Sequence, residues 1–179
     1  APDMANREAL RELQTRLASR LQAARTEEVA ASWLAATVGE RHCLFPLSQS
    51  GEIFPLTHIQ AVPYAQSWFR GVTNLRGSLC GVVDLASFMG DASHLEGVDL
   101  SQADVSVVTF NAALEINCAL LVSGLSGLRK NDAFVTANAA PEGAPVFFGN
   151  QFIDRNGVSW QEINLHTVYG CWMNDLRRF

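Results

Sequence analysis

The reactive side chains of this chain do not assemble into a catalytic centre by type or spacing. Four cysteines, Cys43, Cys80, Cys118 and Cys171, are widely separated and make no CxxC. Cys80 and Cys118 sit in apolar runs, so buried free thiols of a reducing compartment are the leading reading; disulfides and a metal site are the alternatives. The four histidines, His42, His58, His94 and His166, show no ligand spacing, and His166 and Cys171 are poorly aligned on the helix expected there. Asp84 closes the run Val82-Val83-Asp84-Leu85 with no acid or base beside it, which suits a carboxylate that takes hydrogen bonds from turn backbone. No GxGxxG, P-loop, HExxH, GxSxG or SxxK is present, and no Ser or Thr carries an activating signature. The chain is therefore expected not to be an enzyme, with no cofactor and no metal. An enzyme assembled only in three dimensions is the competing possibility.

Composition sets the frame for whatever positions these residues. The 179 residues are 48% hydrophobic and 17% charged, too apolar for a disordered protein. Net charge is −5, and no basic run of five residues exists, which speaks against nucleic-acid binding. No apolar run reaches membrane-spanning length, and the charged first 32 residues lack the apolar segment of an export signal. A cytoplasmic protein without direct membrane insertion is expected.

Residues 1–32 read as one amphipathic helix. Leu10, Leu13, Leu17 and Leu21 recur at spacings of three, four and four, with Asp3 as a cap and Glu12 and Arg16 as an i,i+4 pair. From Trp33 the texture turns to short strands. Hairpins are expected at Gly39-Glu40, Arg76-Gly77 and Asn156-Gly157. Residues 91–103 read as a linker, 129–145 as a loop, Gly124–Leu128 as a kinked strand, and Leu165–Leu176 as a helix capped by Asn164. Without βαβ alternation, a parallel α/β sheet is disfavoured and small barrels or a sandwich are favoured.

One segment is unusual: Arg70-Gly71-Val72-Thr73-Asn74-Leu75-Arg76-Gly77, then Val82-Val83-Asp84-Leu85, then Gly90. It closely resembles the signature of CheW-like chemotaxis adaptors, R-G-x-x-N-L-R-G followed by V-x-D-L and a terminal glycine. Glu52-Ile53, Pro63 and Val122-Ser123-Gly124-Leu125-Ser126-Gly127-Leu128 match further family features in order, with Ser123 where the family usually has an acid. The resemblance covers about residues 33–170. The leading helix and the wording around Trp33 and Gly39-Glu40 are most similar to the PilI-type branch, which serves pilus-linked chemosensory systems that control twitching motility.

The resemblance implies a mainly β fold, two packed five-stranded barrels of Src-homology-3 type, with an N-terminal helix and a short C-terminal helix. It places the first barrel at about 33–90 plus crossing strands and the second at about 104–163, both within a domain spanning 33–179. The strand runs on either side of 91–103 are expected to close separately, over a shared core of Leu75, Leu79, Val82, Val107, Leu120 and Val122. It further implies a non-catalytic adaptor between a methyl-accepting chemoreceptor tip and a CheA-type histidine kinase. Arg76, Glu52 and Asn74 would meet the receptor; Val72, Leu79, Phe88 and Met89 would meet the kinase. The leucine stripe would pack on its own barrel, on a partner or on a second copy. A β-barrel binding module outside signalling is the alternative function.

Overall fold

The computed structural model describes residues 2–30, 32–93, 97–100 and 103–176; within the first helix the side chains of 2, 3, 5 and 25–30 fall outside it. The Asp3 cap and Glu96 of the expected linker therefore lie outside the described residues. The helix α1 spans Pro2–Ala30. Among the described residues eleven strands follow: β1 (Ser32–Val38), β2 (Arg41–Pro46), β3 (Ser50–Pro55), β4 (Phe69–Leu75), β5 (Ser78–Val83), β6 (Ser106–Phe110), β7 (Cys118–Val122), β8 (Gly124–Lys130), β9 (Phe134–Asn138), β10 (Phe148–Asp154) and β11 (Ser159–Ile163). Two further helices are α2 (Leu85–Phe88) and α3 (Leu165–Leu176).

The strands form two sheets, one of six in the order β8-β1-β2-β11-β10-β9 and one of five in the order β3-β6-β7-β5-β4. The expected division at 91–103 is not observed. β1 and β2 join strands from the end of the chain, and β6 and β7 join strands from its first half. The physical reason is burial: β1 and β7 carry apolar residues on both faces, so each needs cover on two sides. All three expected turns join antiparallel neighbours, with Gly39, Gly77 and Gly157 at positive φ. The kink in β8 is a bulge, where Ala35 faces Gly127 and Ala36 faces Leu125 and Ser126 is left over. The loop expected at 129–145 instead contains β9, an edge strand whose side chains are mostly exposed.

Among the described residues, three apolar clusters hold the molecule together. The largest draws Leu34, Phe45, Val83, Val108, Leu120, Val122 and Ile163 from both sheets and adds Val168 and Trp172 of α3. Trp172 stacks on Trp68 at 6.1 Å and meets Phe88 and Phe110 edge-on. A second cluster fills the five-stranded sheet with Leu56, Cys80, Val82, Val107 and Leu121. A third lies in the six-stranded sheet around Trp33, Leu44, Phe152 and Trp160. Of the expected shared core, Leu120 and Val122 lie in the first cluster, and Val82 and Val107 point the other way into the second. Leu75 is only partly buried there, and Leu79 is 61% exposed because it lies next to the hairpin turn, beyond the residues that cover β5.

The leucine stripe does not pack on its own domain: Leu10, Leu13, Leu17 and Leu21 are 51–63% exposed. Since none of them enters a cluster, a chain beginning at Ser32 is expected to keep the melting temperature of the full chain within a few degrees. An unfolded or insoluble product would show instead that α1 supports the sheets.

Asp84 behaves as a cap. Its buried carboxylate accepts from the Ser87 backbone N–H at 3.3 Å, the Ser87 hydroxyl at 3.3 Å and the Ser93 hydroxyl at 2.5 Å. It thus starts α2 and ties down the segment that follows it. Asp84→Ala leaves these donors without their acceptor and is expected to cost roughly 1–3 kcal/mol, read as a lower urea midpoint. An unchanged midpoint would remove this role.

Candidate functional site

Burial pushes the Cys43 thiol up to about 12 and the Cys80 thiol up to about 11, and raises Cys118 as well. These thiols stay protonated at neutral pH and are inert as nucleophiles. All four cysteines are free. Among the described residues, no group of His, Cys, Asp and Glu is placed to hold a metal ion, and no helix is long and apolar enough to cross a membrane. In a hollow lined by Glu40, Arg41 and Asp91, the last two neutralise each other, since Arg41 donates to both oxygens of Asp91 at 2.6 and 3.4 Å. That hydrogen bond is the main cause of the raised Arg41 pKa.

The two edges of the five-stranded sheet, β3 and β4, come together along a seam. Gln60, just beyond β3, exchanges backbone hydrogen bonds with Val72 of β4 at 2.8 and 2.9 Å and curls the sheet toward closure. Gly71 makes the approach possible. Its φ is +141°, and a Cβ there would sit 2.1 Å from the Gln60 carbonyl oxygen.

Arg76 crosses the same seam. Its Nη1 donates to Glu52 Oε1 at 2.7 Å, and its guanidinium lies 5.5 Å from the centre of the Phe54 ring. A bulge aims Glu52. Between the pairs Ser50–Phe110 and Ile53–Val108, Gly51 and Glu52 face the single residue Thr109. The Glu52 N–H donates to Thr109 Oγ1 at 2.8 Å, and that hydroxyl donates to the Glu52 carbonyl at 3.2 Å. A Cβ at Gly51 would meet Thr109 Oγ1 at 2.4 Å, so only glycine admits this arrangement.

Arg76 also bends the chain. Both central residues of the turn are left-handed, Arg76 at φ 50° and Gly77 at φ 80°. Gly77 takes this conformation freely, whereas Arg76 adopts it at a cost of about 1–2 kcal/mol for a residue with a Cβ. Against this stand an ion pair of exposed side chains (72% and 53%), worth about 0–1 kcal/mol, and an exposed cation–π contact worth about 0.5–1 kcal/mol. These terms roughly cancel, so fold stability does not account for an arginine here. Asn74 has a local task, since its Oδ1 accepts the Gly77 N–H at 2.9 Å and braces the turn.

The residues expected to face a kinase fall into two places. Val72 and Leu79 lie on the outer face of β4 and β5, with Leu79 directly opposite Asn74. Phe88 in α2 and Met89 at its end are half-buried against the inter-sheet cluster, where Phe88 contacts Trp68 and Phe147. The sequence reading missed Gly51, Phe54, Gln60 and Thr109. A glycine inside a strand pattern just before Glu52 is the one signal that pointed to a bulge.

A model of the CheW-like domain matches residues 32–158. The chain is 32% identical over 77 residues to Protein PilI of Pseudomonas aeruginosa, a stretch covering 42% of each chain and so less than half of that relative. The crystal structure of scaffolding protein TtCheW from Thermoanaerobacter tengcongensis is similar in fold, with a TM-score of 0.58 at 14% identity, over 76% of this chain and 90% of that one.

Proposed function

Since this chain belongs to the CheW-like domain family, we propose that it is a non-catalytic adaptor that joins the cytoplasmic tip of a methyl-accepting chemoreceptor to a CheA-type histidine kinase. It works in the cytoplasm, gathered at receptor arrays, in a pilus-linked system that controls twitching motility. The observation that carries this reading is the Arg76–Glu52 pair. A bulge and a left-handed turn hold it at the surface, and it adds little to stability. A charged pair so placed suits the steering and registration of a partner. In this reading Arg76, Glu52 and the turn braced by Asn74 form the receptor surface. The apolar outer face with Val72 and Leu79, together with the α2 end at Phe88 and Met89, meets the kinase. In this reading each single contact is small and weak, and repetition in an array supplies the avidity.

The test mixes the purified chain with the kinase and a receptor-tip fragment of the same cell. The kinase is expected to be retained on immobilised receptor fragment several-fold more with the chain present than without it. If the chain binds neither, it is a binding module outside this signalling system.

A further inference from the structure

The exposed stripe of α1 has a charge pattern that selects its occupant. At about 100° per residue, Leu10, Leu13, Leu17 and Leu21 form a band about 80° wide and about 17 Å long. Arg16 and Arg20 flank it on one side and Arg7 and Arg11 on the other, whereas Glu8 and Glu12 fall on the back of the helix. Arg16 bonds Glu12 at 2.8 Å, but both side chains are about 70% exposed (72% and 67%), so that pair exchanges readily with a partner's charge.

A second copy fits this seam badly. In an antiparallel pair each flank meets itself, which sets Arg16 and Arg20 against Arg16 and Arg20. In a parallel pair one flank meets the other, which again sets arginine against arginine. Flanking charges decide partner choice in such seams. A lipid surface fits badly as well, because Pro2–Ala30 contains no Trp, Phe or Tyr to anchor a helix at a membrane interface.

We propose that α1 docks a helical segment of a different protein, one whose apolar seam is flanked by Glu or Asp. The contact buries the four leucines and pairs the arginines on both sides with carboxylates. It is independent of the receptor and kinase surfaces.

The test uses the full chain and two synthetic helical probe peptides with the same leucine seam, one carrying Glu and the other Lys at every flanking position. Fluorescence anisotropy at low salt is expected to show the Glu peptide binding at least tenfold more tightly than the Lys peptide. The double variant Arg16→Glu/Arg20→Glu makes one flank acidic and leaves Arg7 and Arg11 on the other, so it should bring the two peptides close to parity, and Arg7→Glu/Arg11→Glu/Arg16→Glu/Arg20→Glu should reverse their order, with an unchanged melting temperature in both variants. Leu13→Glu/Leu17→Glu should abolish binding of both peptides. Equal binding of the two peptides would overturn the proposal. So would sedimentation showing dimers that Leu13→Glu/Leu17→Glu dissolves, or retention of the chain on phosphatidylglycerol vesicles without discrimination between the peptides.

Discussion

Arg76→Glu is expected to abolish binding of the receptor tip while leaving the melting temperature within about 2 °C of the parent. The substitution sets two carboxylates across the seam where Arg76 now donates to Glu52 at 2.7 Å. Like charges at an exposed site cost little, since solvent screens them. The recognition surface, however, loses its cation and gains repulsion toward any acidic partner. Arg76→Gly serves as the control. It removes the side chain but relieves the left-handed strain at φ 50°, so the fold should be as stable as the parent or slightly more so. Binding should still fall at least tenfold. Calorimetric unfolding beside a receptor-binding isotherm separates the cases. Receptor affinity surviving in both variants, or a collapse of stability in the glycine variant, would show that the turn is structural.

Gly71→Ala is expected to have the largest effect on folding, a loss of roughly 3–5 kcal/mol. Two costs combine at this position. Alanine is strained at φ +141°, and its Cβ would sit 2.1 Å from the Gln60 oxygen, which is backbone and cannot rotate away. Relief requires parting Gln60 from Val72, the bridge between the two edges of the sheet. Gly90 is the natural comparison, with φ +85° and nothing within 4 Å of an added Cβ. Gly90→Ala should carry the strain alone, about 1–2 kcal/mol. Urea unfolding of both variants gives the difference. Equal losses would mean that the seam yields freely and that closure depends on other contacts.

Five residues of the signature read in the sequence now have a physical content. Gly71 lets the seam close, Asn74 braces the turn, Arg76 and Gly77 both adopt the left-handed bend, and Asp84 starts α2. Hairpins were legible because turn chemistry is local. The partition of strands between sheets was not, because apolar alternation says which face is buried and not which strand covers it. Val82 and Leu120 look alike in sequence and lie in different clusters. β9 escaped notice because an exposed edge strand needs no apolar alternation. Leu79 does not belong to the expected core: alternation along β5 does not reveal where its covering layer ends. Glu52 and Arg76 were paired by resemblance alone; the bulge that aims Glu52 depends on Thr109, a residue 57 positions away.

The interleaved strand order also governs how the molecule comes into being. β2 pairs in parallel with β11, Cys43 beside Gln161, and β5 pairs in parallel with β7. A nascent chain that has emerged only as far as Gly90 holds β1 and β2 without either of their flanking neighbours, β8 and β11. Neither sheet can be completed by the first half of the chain. Such long-range pairing defers much of the loop-closure entropy to a late, shared step, which slows folding and makes it all-or-none. The two sheets are thus two layers of architecture but one unit of cooperativity, and a lesion in either should be felt in both.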